Sequence, residues 1–98
     1  MIFVQSGRND KYPKQIDTWT KGEAVPEWIS DNCKIIGIEG TNLIPEFRKV
    51  NGGGYEIVKE NGSSLVSTKN DSDFICFGDG RIFSLTQKQI GLLYTEIK

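Results

Sequence analysis

The sequence predicts an α+β fold in one domain, residues 1–98, with a mainly antiparallel sheet and two helices. Three observations predict this fold. Apolar runs of strand length alternate with glycine-containing breaks across residues 34–85. A capping box and an apolar stripe mark a helix at 86–97, and a Pro-Glu-Trp segment marks a short helix near 26–32. A chain of 98 residues, 37% of them hydrophobic, suits one domain with a small core.

The first third of the chain predicts two strands and the short helix. Residues 2–5, Ile-Phe-Val-Gln, form an apolar run of strand type. Residues 14–20 alternate in character from one position to the next, which is the period of a strand. Pro26 is tolerated in a first helical turn, and Glu27 after it suits the positive end of the helix dipole.

The middle of the chain predicts strands separated by turns. Asn61-Gly62 is the strongest two-residue hairpin signal in the sequence. Pro45 marks an edge or a bulge within its strand, because proline has no N–H to donate to a sheet. The predicted strands in this part are 34–38, 43–50, 55–59 and 65–67.

Gly78-Asp79-Gly80 separates two apolar runs, 74–77 and 82–83. Loops that bind phosphate lie between a strand and a helix, whereas this one lies between two strands and lacks the P-loop Lys-Ser/Thr. We therefore favour a hairpin turn. Both runs are apolar on both faces, so we expect cover on each side of these strands. The C-terminal helix supplies one cover; the N-terminal segment with the first helix, or a second copy of the chain, supplies the other. This surplus of apolar surface predicts a homo-oligomer.

The C-terminal segment has the clearest helix signal. Thr86 and Gln89 have the spacing of a capping box. Four apolar residues follow at i, i+3, i+4 and i+7, so one stripe of the helix should pack on the sheet. They are Ile90, Leu93, Tyr94 and Ile97.

Composition excludes several kinds of function. Net charge is −1 and no block of basic residues occurs, which disfavours a duplex DNA partner. No apolar run reaches membrane-spanning length. The start of the sequence lacks a basic region followed by a long apolar run, so we expect no signal peptide and a cytoplasmic location.

The side chains available for catalysis are limited. The absence of histidine rules out Ser-His-Asp and Cys-His systems. Cys33 and Cys76 have no metal-ligand spacing, so we expect buried reduced thiols, a disulfide remaining the alternative. A carboxylate enzyme using Asp71, Asp73 and Asp79 is the least favoured hypothesis, because aspartates in turns usually stabilise the turn. We therefore expect no enzymatic activity, no metal and no cofactor.

A candidate ligand site lies around the glycine-rich connection 52–54. Three glycines exceed what a hairpin needs, so they suggest either a flexible strand connection or bulge, or close backbone approach to a ligand. Trp19 lies at a strand end between two threonines and a lysine, and a half-exposed tryptophan beside a cation suits the stacking of a flat ring. Cations near strand ends, Lys49 among them, suit phosphates. The alternatives are a hydrophobic lid for the tryptophan and solvated surface positions for the cations. The predicted ligand-binding residues are Trp19, Lys21, Arg48, Asn51, Tyr55 and Arg81.

The order of elements resembles that of small phage-encoded proteins of the PGDYG type. The matching segments are Val25-Pro26-Glu27-Trp28-Ile29, Asp73-Phe74-Ile75 and Gly80-Arg81-Ile82-Phe83. The chain departs from that family in having Asp71-Ser72 in place of Pro-Gly, and in the inserted glycines at 52–54. The resemblance implies a phage or mobile-element origin and a bacterial host cell. It also implies a short accessory protein that acts by binding.

Two binding functions follow from these observations. The first is sequestration of a small nucleotide-type signal, as a sponge against host defence. The alternative is an inhibitor or adaptor that binds a host protein through a sheet edge or an aromatic patch.

Overall fold

The computed structural model describes residues 1–98 and is mostly antiparallel sheet, with 44% of residues in strands and 11% in helices. The predicted antiparallel sheet is confirmed, and the helices are shorter than expected. The elements are β1 (Ile2–Gln5), β2 (Gln15–Trp19), α1 (Glu27–Ser30), β3 (Ile35–Glu39), β4 (Asn42–Pro45), β5 (Phe47–Lys49), β6 (Tyr55–Val58), β7 (Ser64–Ser67), β8 (Phe74–Gly78), β9 (Arg81–Leu85), α2 (Gln87–Leu93) and β10 (Tyr94–Ile97).

Five strands form the large sheet in the order β10-β1-β2-β8-β9, and every pairing in it is antiparallel. Two smaller antiparallel sheets, β3-β4 and β5-β6-β7, cover one face of it together with α1. Helix α2 covers the other face. No helix of the chain is long and apolar enough to cross a membrane.

The large sheet has a hydrophobic core on each face. Successive side chains of a strand point to opposite faces, so the adjacent residues Ile75 and Cys76 of β8 enter different cores. The core beneath the small sheets contains Trp19, Ile29, Cys33, Tyr55, Ile57, Val66 and Ile75. The core beneath α2 contains Phe3, Ile16, Cys76, Leu85, Ile90 and Tyr94.

The prediction that residues 74–77 are covered on both sides is thus confirmed, and both covers come from the same chain. The apolar side chains at 74–77 and 82–83 are buried or half-buried within a single copy. They therefore no longer support the homo-oligomer, which stays a prediction. Cys33 and Cys76 are buried free thiols, as expected.

The first helix is confirmed as a single turn, shorter than the predicted 26–32. Pro26 precedes it in an extended conformation, and Ile29 enters the core. Trp28 is half-buried, stacks on Phe77 with ring centroids 5.3 Å apart, and donates from Nε1 to Asp17 Oδ2 at 2.8 Å. This helix therefore anchors the connection after β2 to the large sheet.

The predicted strand at 43–50 is wrong as a single element, because β4 and β5 belong to different sheets. Pro45 ends β4, and Glu46 then joins the two small sheets through backbone bonds. Its N–H donates to Lys34 O at 2.9 Å, and its carbonyl accepts from Val58 N at 3.1 Å. The break therefore falls directly after Pro45, where the two backbone bonds of Glu46 go to different neighbouring segments.

The predicted hairpin at 78–80 is confirmed. Only Asp79 and Gly80 connect the strands, and both have positive φ, 49° and 72°, as a type I′ turn requires. Gly78 belongs to β8 and has another role. A Cβ at this position would lie 2.6 Å from Gln15 O, so glycine allows β8 to approach the chain before Ile16.

The predicted helix at 86–97 is only partly correct. The capping box of Thr86 and Gln89 is present, but α2 ends at Leu93. Residues 94–97 form β10, which pairs with β1 over four residues. Without β10, β1 would be an edge strand with unpaired backbone groups, so ladder pairing outweighs the helical pattern here. Ile97 is consequently exposed instead of packing on the sheet.

Candidate ligand-binding site

Lys21 lies in the turn after β2, over an aromatic cluster. Its ammonium nitrogen is 4.1 Å from the centroid of the Tyr55 ring and 5.1 Å from that of Phe47. The turn is fixed by Glu23, whose carboxylate accepts from Thr20 N at 2.6 Å. Trp19 Nε1 donates to Glu23 O at 3.1 Å. Lys21 therefore extends from a turn that hydrogen bonds hold in place, and its ammonium group interacts with the faces of two rings.

The aromatic cluster beneath Lys21 belongs to the core. Trp19 and Phe47 are nearly parallel, with centroids 6.1 Å apart, and Phe47 meets Tyr55 edge to face at 5.4 Å. Trp19 is 3% exposed. The prediction of an exposed stacking platform at Trp19 is therefore wrong, and its alternative, a hydrophobic packing role, is correct. A ligand ring cannot stack on this side chain without displacing its neighbours.

The Tyr55 hydroxyl is the one buried side-chain polar atom of the chain without a hydrogen-bond partner. The residue is 1% exposed, and its backbone pairs with Thr68 in both directions. Burial, with a smaller contribution from the Asp71 and Asp73 carboxylates, raises the pKa of Tyr55 to about 12. The hydroxyl therefore keeps its proton at neutral pH and can donate. A buried polar group left unpaired costs about 1–3 kcal/mol.

A cleft of about 330 Å³ opens beside Tyr55, and we call it the glycine cleft. It has two lysines, one aspartate and two glycines in its lining. Its lining residues are Lys21, Lys49, Val50, Gly53, Gly54, Tyr55 and Asp71.

The glycines of this cleft are fixed by the chain itself. Val50 N donates to Gly54 O at 3.3 Å, and Gly53 N donates to Val50 O at 3.1 Å. Gly54 has a φ of +78°, and a Cβ there would collide with the carbonyl group of Thr68. The close approach at Gly54 is thus to the strand end at Thr68. The connection is a defined turn rather than a flexible one.

A second cleft, of about 450 Å³, lies on the other side of Lys21, and we call it the apolar cleft. Its lining combines five hydrophobic side chains with four polar ones, Lys21, Glu23, Glu39 and Asn42. Asn42 Oδ1 accepts from Val25 N at 3.0 Å, which leaves the Asn42 amide nitrogen free to donate. Its lining residues are Trp19, Lys21, Gly22, Glu23, Val25, Glu39, Asn42, Leu43, Ile44, Pro45 and Phe47.

The structure brings together three of the six predicted residues: Trp19, Lys21 and Tyr55 line these two clefts. Asn51 is exposed in the turn before the glycines and lines neither cleft. Arg48 Nε is 2.8 Å from Oε1 of the half-buried Glu56 in a cross-strand pair.

Arg81 lies apart from these clefts. Trp19 pairs with Ile75 at one end of β8, whereas Arg81 pairs with Gly78 at the other end. Its guanidinium group lies over the Phe83 ring at 5.3 Å and donates to Lys11 O at 3.4 Å.

The predicted ligand-binding residues include Arg48 but not its neighbour Lys49. In the structure Lys49 pairs with Tyr55 across β5 and β6 and lines the glycine cleft. The two-residue period of a strand could have found this, since Lys49 shares a face with the core residue Phe47. No sequence pattern indicated that Asp71 lines the glycine cleft or that residues 43–45 and Phe47 line the apolar cleft, because these residues reach the clefts only through tertiary packing.

No three His, Cys, Asp or Glu side chains of the chain lie together in a way that could hold a metal ion. Comparisons with protein-family models, curated proteins and solved structures gave no match. The resemblance to PGDYG-type proteins therefore stays a prediction.

Proposed function

We propose that this chain is a small non-enzymatic binding protein that sequesters a nucleotide-type ligand, with its phosphate in the glycine cleft. The observation that carries the proposal is the glycine cleft, whose lining combines Lys21 and Lys49 with Tyr55, the residue that has the buried and unpartnered hydroxyl. Charge-assisted hydrogen bonds to an anion are shorter and stronger than neutral ones. An anionic oxygen in this cleft would satisfy the hydroxyl and meet both ammonium groups.

The charges of the glycine cleft favour an anion over a cation. Lys21 and Lys49 outnumber Asp71, so the lining carries an excess of one positive charge. The Asp73 carboxylate, which also acts on Tyr55, opposes this excess from outside the lining. Lys21 already rests on the Tyr55 and Phe47 rings, so little side-chain freedom is lost when a ligand arrives. The Asp71 carboxylate can accept from a ligand donor such as a sugar hydroxyl.

Binding without turnover fits the chemistry of the lining. The raised pKa of Tyr55 disfavours its tyrosinate form, so it is a poor general base at neutral pH. The chain contains no histidine that could replace it. The role as a counter-defence sponge, in the cytoplasm of a bacterial host, rests on the resemblance to PGDYG-type proteins.

Calorimetry against a panel of cyclic dinucleotides and ADP-ribose derivatives tests the proposal. We expect micromolar binding of at least one member, about tenfold weaker in Lys49→Ala, which corresponds to one lost charge-assisted contact. Lys88→Ala removes an exposed lysine on α2, on the opposite face of the large sheet, and should bind like the wild type. Dissociation constants above millimolar for every panel member would reject the proposal. Recovery of a chemically altered ligand would reject the non-enzymatic part.

A second candidate function is an inhibitor or adaptor that binds a host protein, and the β3-β4 sheet favours it. Ile38 on β3 is 70% exposed, and Ile36 on the same strand is also exposed. A stoichiometric protein partner in a pull-down, lost in Ile38→Ser and retained in Tyr55→Phe, would favour this function over the first.

Self-association remains part of the proposal. β10 is an edge of the large sheet, and edge strands carry unpaired backbone groups that can pair with another copy. Sedimentation at micromolar concentration should give a multiple of 11.0 kDa. A mass equal to the single chain would contradict the homo-oligomer.

A further inference from the structure

We infer that the glycine cleft and the apolar cleft form one bipartite site, which holds a nucleoside phosphate with its base in the apolar cleft and its phosphate beside Tyr55. The inference rests on the proposed function and specifies how the ligand lies. The ring of the ligand then lies in the apolar cleft and not on Trp19, whose faces are covered.

Lys21 joins the two clefts, since it is the only residue that lines both. The rings of Phe47 and Tyr55, one in each lining, are in edge contact at 5.4 Å between centroids. The clefts are therefore neighbours across one pair of rings, with the Lys21 ammonium above both. A ligand with an apolar half and an anionic half can occupy both clefts and place its phosphate beside that ammonium.

The apolar cleft suits a nucleobase more than a hydrocarbon. Apolar walls are provided by residues such as Val25, Leu43 and Ile44, while Glu39 and Asn42 lie at the polar part of the lining. Pockets for small molecules typically combine apolar walls with a few polar groups that fix orientation.

Two of the polar side chains of the apolar cleft, Glu39 and Asn42, have free hydrogen-bonding capacity. The Glu39 carboxylate makes no ion pair or hydrogen bond within the chain and can accept from an N–H. The Asn42 amide nitrogen can donate because only its oxygen is used, toward Val25 N. A ring that carries both donors and acceptors matches this pair, and nucleobases are such rings.

Calorimetry of the full chain with adenosine monophosphate, adenosine and inorganic phosphate tests the inference. Linking two halves that bind adjacent clefts makes the second contact intramolecular. We therefore expect the monophosphate to bind at least about tenfold more tightly than the better of the two halves.

Two variants assign the halves to their clefts. Tyr55→Phe should weaken binding of phosphate and of the monophosphate by about tenfold, the equivalent of one charge-assisted hydrogen bond, and leave adenosine unchanged. Leu43→Ser should weaken binding of adenosine and of the monophosphate and leave phosphate unchanged. Glu39→Ala removes the acceptor from an exposed side chain and should act like Leu43→Ser, so it serves if Leu43→Ser fails to fold. Lys88→Ala is the matched control and should bind all three probes like the wild type.

The outcomes separate this inference from the proposed function. A monophosphate that binds no better than phosphate overturns the bipartite site. So does adenosine binding that falls as much in Tyr55→Phe as phosphate binding does. If these three probes fail but a dinucleotide or an ADP-ribose derivative binds, the inference is overturned and the proposed function stands. If neither these probes nor the panel binds, both fall.

Discussion

Replacing Tyr55 by Phe should make the ligand-free protein more stable. The change removes the hydroxyl oxygen and keeps the ring, with its edge contact to Phe47 and its contact with Lys21. That oxygen is buried without a hydrogen-bond partner, a state that costs about 1–3 kcal/mol. We expect the free energy of unfolding to rise by about 1 kcal/mol, and the midpoint of thermal unfolding by about 4–8 °C for a domain of this size.

Tyr94→Phe is the matched control, because it removes the same atom from a paired position. The Tyr94 hydroxyl donates to Pro13 O at 2.6 Å in the core beneath α2. Its loss should lower the free energy of unfolding by about 1–3 kcal/mol, since the buried carbonyl is left unpaired. Urea unfolding followed by tryptophan fluorescence measures both variants, provided that their m-values stay equal to that of the wild type.

Equal destabilisation in the two variants would refute the reasoning. It would mean that the Tyr55 hydroxyl has a partner in solution, such as an ordered water. The glycine cleft would then lack the unsatisfied group on which the phosphate site depends. A gain in stability in Tyr55→Phe, together with weaker ligand binding, would instead show that the fold tolerates an unfavourable atom for the sake of binding.

Three further predictions concern the backbone, the core and pH. Gly54→Ala should cost several times the roughly 1 kcal/mol of Gly62→Ala in urea unfolding, because both positions have positive φ but only Gly54 has a carbonyl in the path of a Cβ. Ile90→Ala should cost about 2–5 kcal/mol, whereas Leu92→Ala on the same helix should stay within about 0.5 kcal/mol, because Leu92 is 72% exposed. Alkaline pH should destabilise the wild type more than Tyr55→Phe. The folded chain holds the Tyr55 proton up to a pKa of about 12, whereas the unfolded chain loses it near the ordinary pKa of 10. The stability that this difference contributes is therefore complete below pH 10 and is lost as pH rises from 10 to 12. Equal slopes for the two proteins over that range would contradict this.

Local patterns predicted most of the strands and both helix starts. The Asp79-Gly80 turn and the capping box at Thr86 depend on residues a few positions apart, so sequence alone was sufficient for them. The end of α2 depends on β1, which lies at the opposite end of the chain, and the helical pattern at 94–97 contained no sign of that pairing. The break at Glu46 likewise follows from its bonds to Lys34 and Val58, which only the tertiary structure brings together.

The candidate site was harder to predict than the fold. Trp19 was expected at the surface because a lysine and two threonines surround it in sequence, but the small sheets cover it. Arg48 and Lys49 are adjacent and equally cationic, so choosing between them required the register of β5 against β6. The unpartnered state of the Tyr55 hydroxyl is a property of packing, which no sequence pattern describes.

The interior position of β8 in the large sheet has a consequence for how the protein opens. Ile75 and Cys76 lie side by side in one strand, yet each is fully buried in a different core. Losing either core exposes one face of the same strand, so neither half of the molecule can detach while the other stays intact. Amide hydrogens of β8 should therefore exchange with solvent only through global unfolding, and their protection should report the full stability of the chain.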